Sequence, residues 1–147
     1  MTDVWNVGLM NDNAGNGNFG DSTRLCGHGG RNLVTLSNGT TIYAFSVDNN
    51  EDFVYLKSTD SGATWGTAVV ILTGSTAGFE VWYDQWTPGI ATTVIHMAYL
   101  DHTDADTKYR SLETATDTLG TQTVIFAGTS GESNYSISIT KARGGRL

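Results

Sequence analysis

Two acidic stretches hold the first residues suited to chemistry: Asp48 and Asp52 in "DNNED", and Asp101, His102, Asp104 and Asp106 in "DHTDAD". Carboxylates at such spacing supply the hard oxygen ligands that Ca²⁺ takes, so calcium is the one cofactor these loops suggest. Neither stretch has the glycine that sharpens known calcium loops, and loop acids are mostly solvated, so the expectation is exposed turns and no cofactor. His28, His96 and His102 do not fall at metal-ligand spacing, and His96 lies in an apolar run where a structural role is expected. Trp82, Tyr83 and Trp86 offer ring faces for stacking on a sugar, yet their neighbours read as a strand, for which core packing competes. The densest cluster is "STDSGATW", Ser58 to Trp65. Its Asp60 suits hydrogen bonds from turn N–H groups, Gly62 suits a positive φ, and Trp65 offers a large apolar face to wedge between strands. Those are scaffold roles, with no nucleophile beside a base.

The bulk of the chain limits what can position these residues. It has 147 residues with 18 Gly and a single Pro, which favours short strands and tight turns; no segment carries a sustained helical period. The net charge is −7 and only eight residues are Lys or Arg, which excludes phosphate-rich partners such as nucleic acid and disfavours anionic membrane surfaces. The first residues lack the basic and apolar regions of a signal peptide, and no run approaches the ~18 apolar residues of a spanning helix. Cys26 is the only cysteine, so no disulfide forms within the chain. "NDNAGNGNFGD", residues 11–21, reads as a turn-rich loop.

An internal repeat organises the rest. "FVYLKSTDSGATWGTAVVIL" registers on "TKYRSLETATDTLGTQTVIF" without a gap, placing Tyr55 on Tyr109, Gly66 on Gly120 and Ile71 on Ile125, an interval of 54 residues. The same interval carries "IYAFSV" onto "HMAYLD", with Ala44 on Ala98. Each repeat breaks into four apolar runs: 32–36, 40–47, 53–57 and 67–72, then 80–86, 92–100, 108–112 and 122–127. A turn at Ser37-Asn38-Gly39 joins the first two as a hairpin. Four antiparallel strands at this period predict an all-β fold, a β-propeller of four-stranded blades. The expected layout is one partial propeller domain, 1–147: an N-terminal strand and Gly/Asn-rich loop (1–31), a first blade (32–73), a second (78–128) and the start of a third (134–147). Two and a fraction blades leave open edges, so the expected partners are further blades of a longer chain or copies of the same chain.

The cluster at Ser58, Asp60, Gly62, Thr64 and Trp65 resembles the Asp-box of sialidase-like propellers with bacterial neuraminidase repeats. "WYDQWTPG" and "YRSLETATDTLGTQ" are similar to segments of such propellers in tailed-bacteriophage and environmental viral proteins. The resemblance implies about six blades in a complete ring and a structural box away from the ligand face, with the loops of Asp48, Asp52, Asp101, His102, Asp104 and Asp106 on that face. In the second repeat the box has decayed, with Thr114, Thr116 and Leu119 at the Asp60, Gly62 and Trp65 positions. Sialidases carry an arginine triad and a Tyr–Glu nucleophile; here Arg24 and Arg31 are imperfect stand-ins for the first arginine, and no complete site is legible. The implied function is a non-catalytic virion structural or glycan-receptor-binding protein. The alternatives are an N-terminal fragment of a glycoside hydrolase and a stand-alone carbohydrate-binding module.

Overall fold

The computed structural model describes residues 32–48, 50–74, 76–83, 93–128 and 137–140. Every regular element among them is a strand: β1 (Leu33–Thr35), β2 (Ile42–Val47), β3 (Phe53–Ser58), β4 (Val69–Leu72), β5 (Thr76–Tyr83), β6 (Val94–Asp101), β7 (Asp106–Glu113), β8 (Thr118–Leu119) and β9 (Thr123–Ala127). They form two antiparallel sheets. The first has the order β1-β2-β3-β4, and the second runs β5-β6-β7 with β8 and β9 both paired to β7. Because β8 meets Leu112 and Glu113 while β9 meets Asp106 to Tyr109, the two are pieces of one edge strand interrupted near Gly120. No closed ring is present among the described residues, and residues 137–140 belong to neither sheet. No described helix is long and apolar enough to cross a membrane.

Local chemistry accounts for the hairpins. The Asn38 side chain accepts from the N–H groups of Thr40 (3.1 Å) and Thr41 (2.9 Å), and Gly39 takes φ +74° to bring its own N–H onto Leu36 O. The turn is therefore wider than a two-residue hairpin loop. The expected strand at 80–86 begins earlier, at Thr76; Phe79, Val81 and Tyr83 alternate onto the buried side, and a register shift between Thr76 and Gly78 interrupts that phase.

The two units repeat in three dimensions. Val54 pairs with Val70 and Tyr55 with Val69; 54 residues on, Lys108 pairs with Val124 and Tyr109 with Thr123. A bulge between Phe53 and Val54 recurs between Thr107 and Lys108. The bond from Gly66 N to Lys57 O (2.9 Å) recurs from Gly120 N to Ser111 O (2.8 Å). One part of the expected register is corrected. Ala44 lies opposite Leu56 and Met97 opposite Arg110, so Ala44 corresponds to Met97 and not to Ala98. The loop at 101–106 is one residue longer than that at 48–52, and the interval along the second strand is accordingly 53.

That single residue decides which side chains of β6 face the first sheet. Tyr43, Phe45, Val47, Phe53 and Tyr55 face Phe79, Val81, Tyr83, Ile95, Met97, Tyr99 and Leu112 in one buried cluster. The Phe53 and Phe79 rings stack at 4.5 Å, and Tyr99 meets Phe53 at 5.4 Å. Tyr109, the counterpart of Tyr55, follows Lys108, which pairs with inward-facing Tyr99; alternation turns Tyr109 to the outer face. Equivalent faces are therefore not opposed. The second sheet packs its back on the front of the first.

Gly120 fits because a Cβ there falls inside the contact radius of Ser111 Oγ. Gly120→Ala is expected to cost about 1–3 kcal/mol through overpacking, and adding Ser111→Ala should recover at least half of the loss in urea unfolding.

Candidate functional site

At one end of the first sheet the Ser58–Trp65 turn folds its polar side chains onto itself. Asp60 Oδ1 accepts from Thr64 N (2.8 Å) and Ser58 Oγ (2.8 Å), and Asp60 Oδ2 accepts from Thr64 Oγ1 (2.6 Å). Gly62 N donates to Ser58 Oγ (2.8 Å), with Ser61 and Gly62 both at positive φ. Trp65 is half-buried over Ala44 and Leu56 of its own sheet, beside Ala68. The turn brings Ser58, Asp60, Gly62, Thr64 and Trp65 together as a brace. Bonds from Thr64 and Ser58 draw the Asp60 carboxyl from an ordinary 3.8 to about 2.

At the opposite end lie the acidic loops and the β4–β5 link, with Gly74 set against Thr103 and Thr76 N bonded to Glu51 O (3.1 Å). Asp48, Asp52, Asp101 and Asp106 each use a carboxylate to hold a turn or a strand end. Asp48 Oδ1 accepts from Asn50 N (2.8 Å) and Asp52 N (2.9 Å). Asp52 accepts from Gly74 N (2.6 Å), and its counterpart Asp106 accepts from Gly128 N (3.2 Å). Asp101 accepts from Thr103 N (2.9 Å) and, on its other oxygen, from Lys108 Nζ (2.7 Å), which also reaches Asp104. Burial pulls against charge on Lys108, but the bonds to Asp101 and Asp104 outweigh it and push its pKa up to about 12. His102 is exposed, and among the described residues no group of three His, Cys, Asp or Glu side chains is placed to hold a metal ion. Tyr83 packs in the core, and His96 Nδ1 lies 2.7 Å from Tyr109 Oη on the outer face. His28, Arg24, Arg31, Cys26, Trp86 and the 11–21 loop lie outside the described residues.

Comparison with known protein families, with curated proteins and with solved structures finds no match for this chain. Function has to be read from the geometry alone.

A third polar cluster, not legible in the sequence, joins the sheets. Asp117, in the turn that replaces the box in the second repeat, accepts from Tyr43 Oη and from Lys57 Nζ (2.6 Å) of the first sheet. Burial works against the charged form, yet these two donors hold the Asp117 carboxyl below the usual carboxylate range. Burial and the same contact raise the Tyr43 phenol. Arg110 adds a second clasp, donating from Nη1 to Ile71 O (2.7 Å) and from Nε to Gly120 O (2.8 Å). Hydrogen bonds from a charged donor are the stronger class, each contributing about 1.5–3 kcal/mol. Lys57 and Asp117 are partly exposed, so their ion pair adds only about 0–1 kcal/mol.

Two outcomes follow. Because the folded Asp60 value is depressed, its contribution is full above the free value of 3.8 and is lost as pH falls through about 2. Asp60→Asn should melt below wild type near neutrality, and the gap should close at the acid limit. Lys108→Met strands buried Asp101 and should cost about 3–5 kcal/mol, with Lys108→Met/Asp101→Asn costing less by urea unfolding.

Proposed function

We propose that the two sheets are consecutive blades of a sialidase-like β-propeller, and that the protein is a non-catalytic structural or glycan-receptor-binding component of a virion. The observation that supports this reading is the front-to-back stacking of two units with the same strand order, bulge and interval. Such a relation between neighbours propagates around an axis, whereas a two-fold sandwich opposes equivalent faces. The side chains that resemble an Asp-box brace a turn and leave no group free for chemistry on a substrate. The hydroxyls of Tyr43, Tyr99 and Tyr109 are committed to Asp117, Gln122 and His96. The carboxylates of Asp48, Asp52, Asp101 and Asp106 likewise hold backbone. That leaves recognition at the end where Asn50, His102, Thr103 and Asp104 are exposed, a surface suited to hydrogen-bonding sugar hydroxyls.

The test is a glycan array probed with the full chain, run beside a fluorogenic sialoside assay. Retention of a glycan class, weakened several-fold by His102→Ala with the melting temperature unchanged, is the expected result. Release of the fluorophore selects the hydrolase instead, and the absence of any retained glycan removes the receptor role.

A further inference from the structure

We infer that two copies of this chain associate through β9, edge against edge and antiparallel, so that their second sheets join into one continuous sheet. The inference goes beyond the blade reading, which concerns the faces of the sheets, by naming an edge and its occupant. Residues 121–128 are all exposed, the longest such run among the described residues, and they include the whole of β9. Val124, Ile125 and Phe126 are 49%, 58% and 61% exposed. β9 pairs with β7 on one side, and no strand lies along its other side among the described residues. Main-chain N–H and C=O groups on such an edge are a template for a further strand.

The other edges are shorter or already engaged. β1 has three residues, β4 ends in buried Ile71 and Leu72, and β5 is buried or half-buried at every described position. At β4 the carbonyl of the inserted residue, Ile71, is taken by Arg110 Nη1 (2.7 Å); among the described residues no side chain donates to Ile125 O, its counterpart. Thr121 to Gly128 contains no charged residue and no proline, the two substitutions that blunt an edge, and its Thr, Val, Ile and Phe favour extended pairing. Its one interruption is the bulge at Ile125, which shortens the regular ladder.

Charge selects a second copy as the occupant. Each chain carries a net −7, so copies repel one another, and an exposed edge without charge is where they approach with least opposition. Antiparallel pairing of a strand with its own copy is a two-fold, self-complementary contact. Both free edges are then consumed, and growth stops at two chains. A five-residue strand overlaps its copy fully only when the axis passes near its middle residue, Ile125. One strand edge buries less than the ~800 Å² per partner of a standard interface, so the dimer is weak and depends on concentration. Salt strengthens it by screening the repulsion.

Light scattering on the full 147-residue chain tests this, using Ile125→Lys and Ile125→Glu. The mass of wild type should rise with concentration toward two chains and no further, and should rise more in high salt. Each variant alone should associate at least about tenfold more weakly, with an unchanged circular dichroism spectrum, because like charges then face each other across the axis. Ile125→Lys should do so although it brings the net charge closer to zero. Mixed in equal amounts, the two should form a one-to-one dimer that salt weakens, since opposite charges now meet. Val124→Lys and Val124→Glu serve as a second pair if either first variant fails to fold. A wild type that stays monomeric overturns the inference, as do variants that associate like wild type. A mixture that stays monomeric while wild type associates also overturns it, because the copies then meet elsewhere than β9 on β9. Glycan retention is read separately, so a monomer that still binds glycans leaves the proposed function standing.

Discussion

Phe53 is the residue on which both sheets converge. Its ring touches Phe45 (6.2 Å) in its own sheet and Phe79 and Tyr99 in the other, and all four rings are fully buried. Burial of large aromatic rings is the main free-energy gain open to a chain this short, and offset contacts between them add a smaller directional component. A sheet of four short strands is hydrophobic on one face at least and is stable only when that face is covered. In this molecule the cover for the first sheet is the second. The polar clasps at Arg110 and Asp117 set the alignment of that contact; they do not drive it.

Front-to-back packing fixes which side chains meet. A strand changes face at every residue, so with Met97 and Tyr99 turned inward their partners Arg110 and Lys108, and not Tyr109, lie against the first sheet. Arg110 then meets Ile71 O, and Lys108 is buried where it needs Asp101. The second sheet compensates for a less apolar inner face with hydrogen bonds, and its Tyr109 is left to partner His96 on the outside.

Much of this was legible in the sequence. The all-β class, the strand order, the 54-residue interval along the third and fourth strands and the self-contained turn at Ser58–Trp65 follow from alternation, turn residues and one motif. The register of β2 on β6 was misplaced by one because apolar residues in "IHMAYL" match "IYAFSV" nearly as well in either phase; only the ladder distinguishes them. The Asp117 clasp could not be read at all. Its partners Tyr43 and Lys57 are 74 and 60 residues away, and the second turn reads in the sequence only as a decayed copy of the first. Arg110 gave no signal either, since its distant acceptor is a backbone carbonyl. The acidic loops read as solvated because nothing local foretells that Asp101 closes on a buried lysine.

The bulges have one more effect. Each admits an extra residue into the edge strand, Ile71 in one unit and Ile125 in the other. A slipped rung breaks the usual left-right beat of side chains, so Ile71 and Leu72, although consecutive, both sink into the shared core. It also takes the carbonyl of the inserted residue out of the ladder and turns it sideways, where a guanidinium can dock. An irregularity in one sheet thus becomes the keyhole by which its neighbour is aligned.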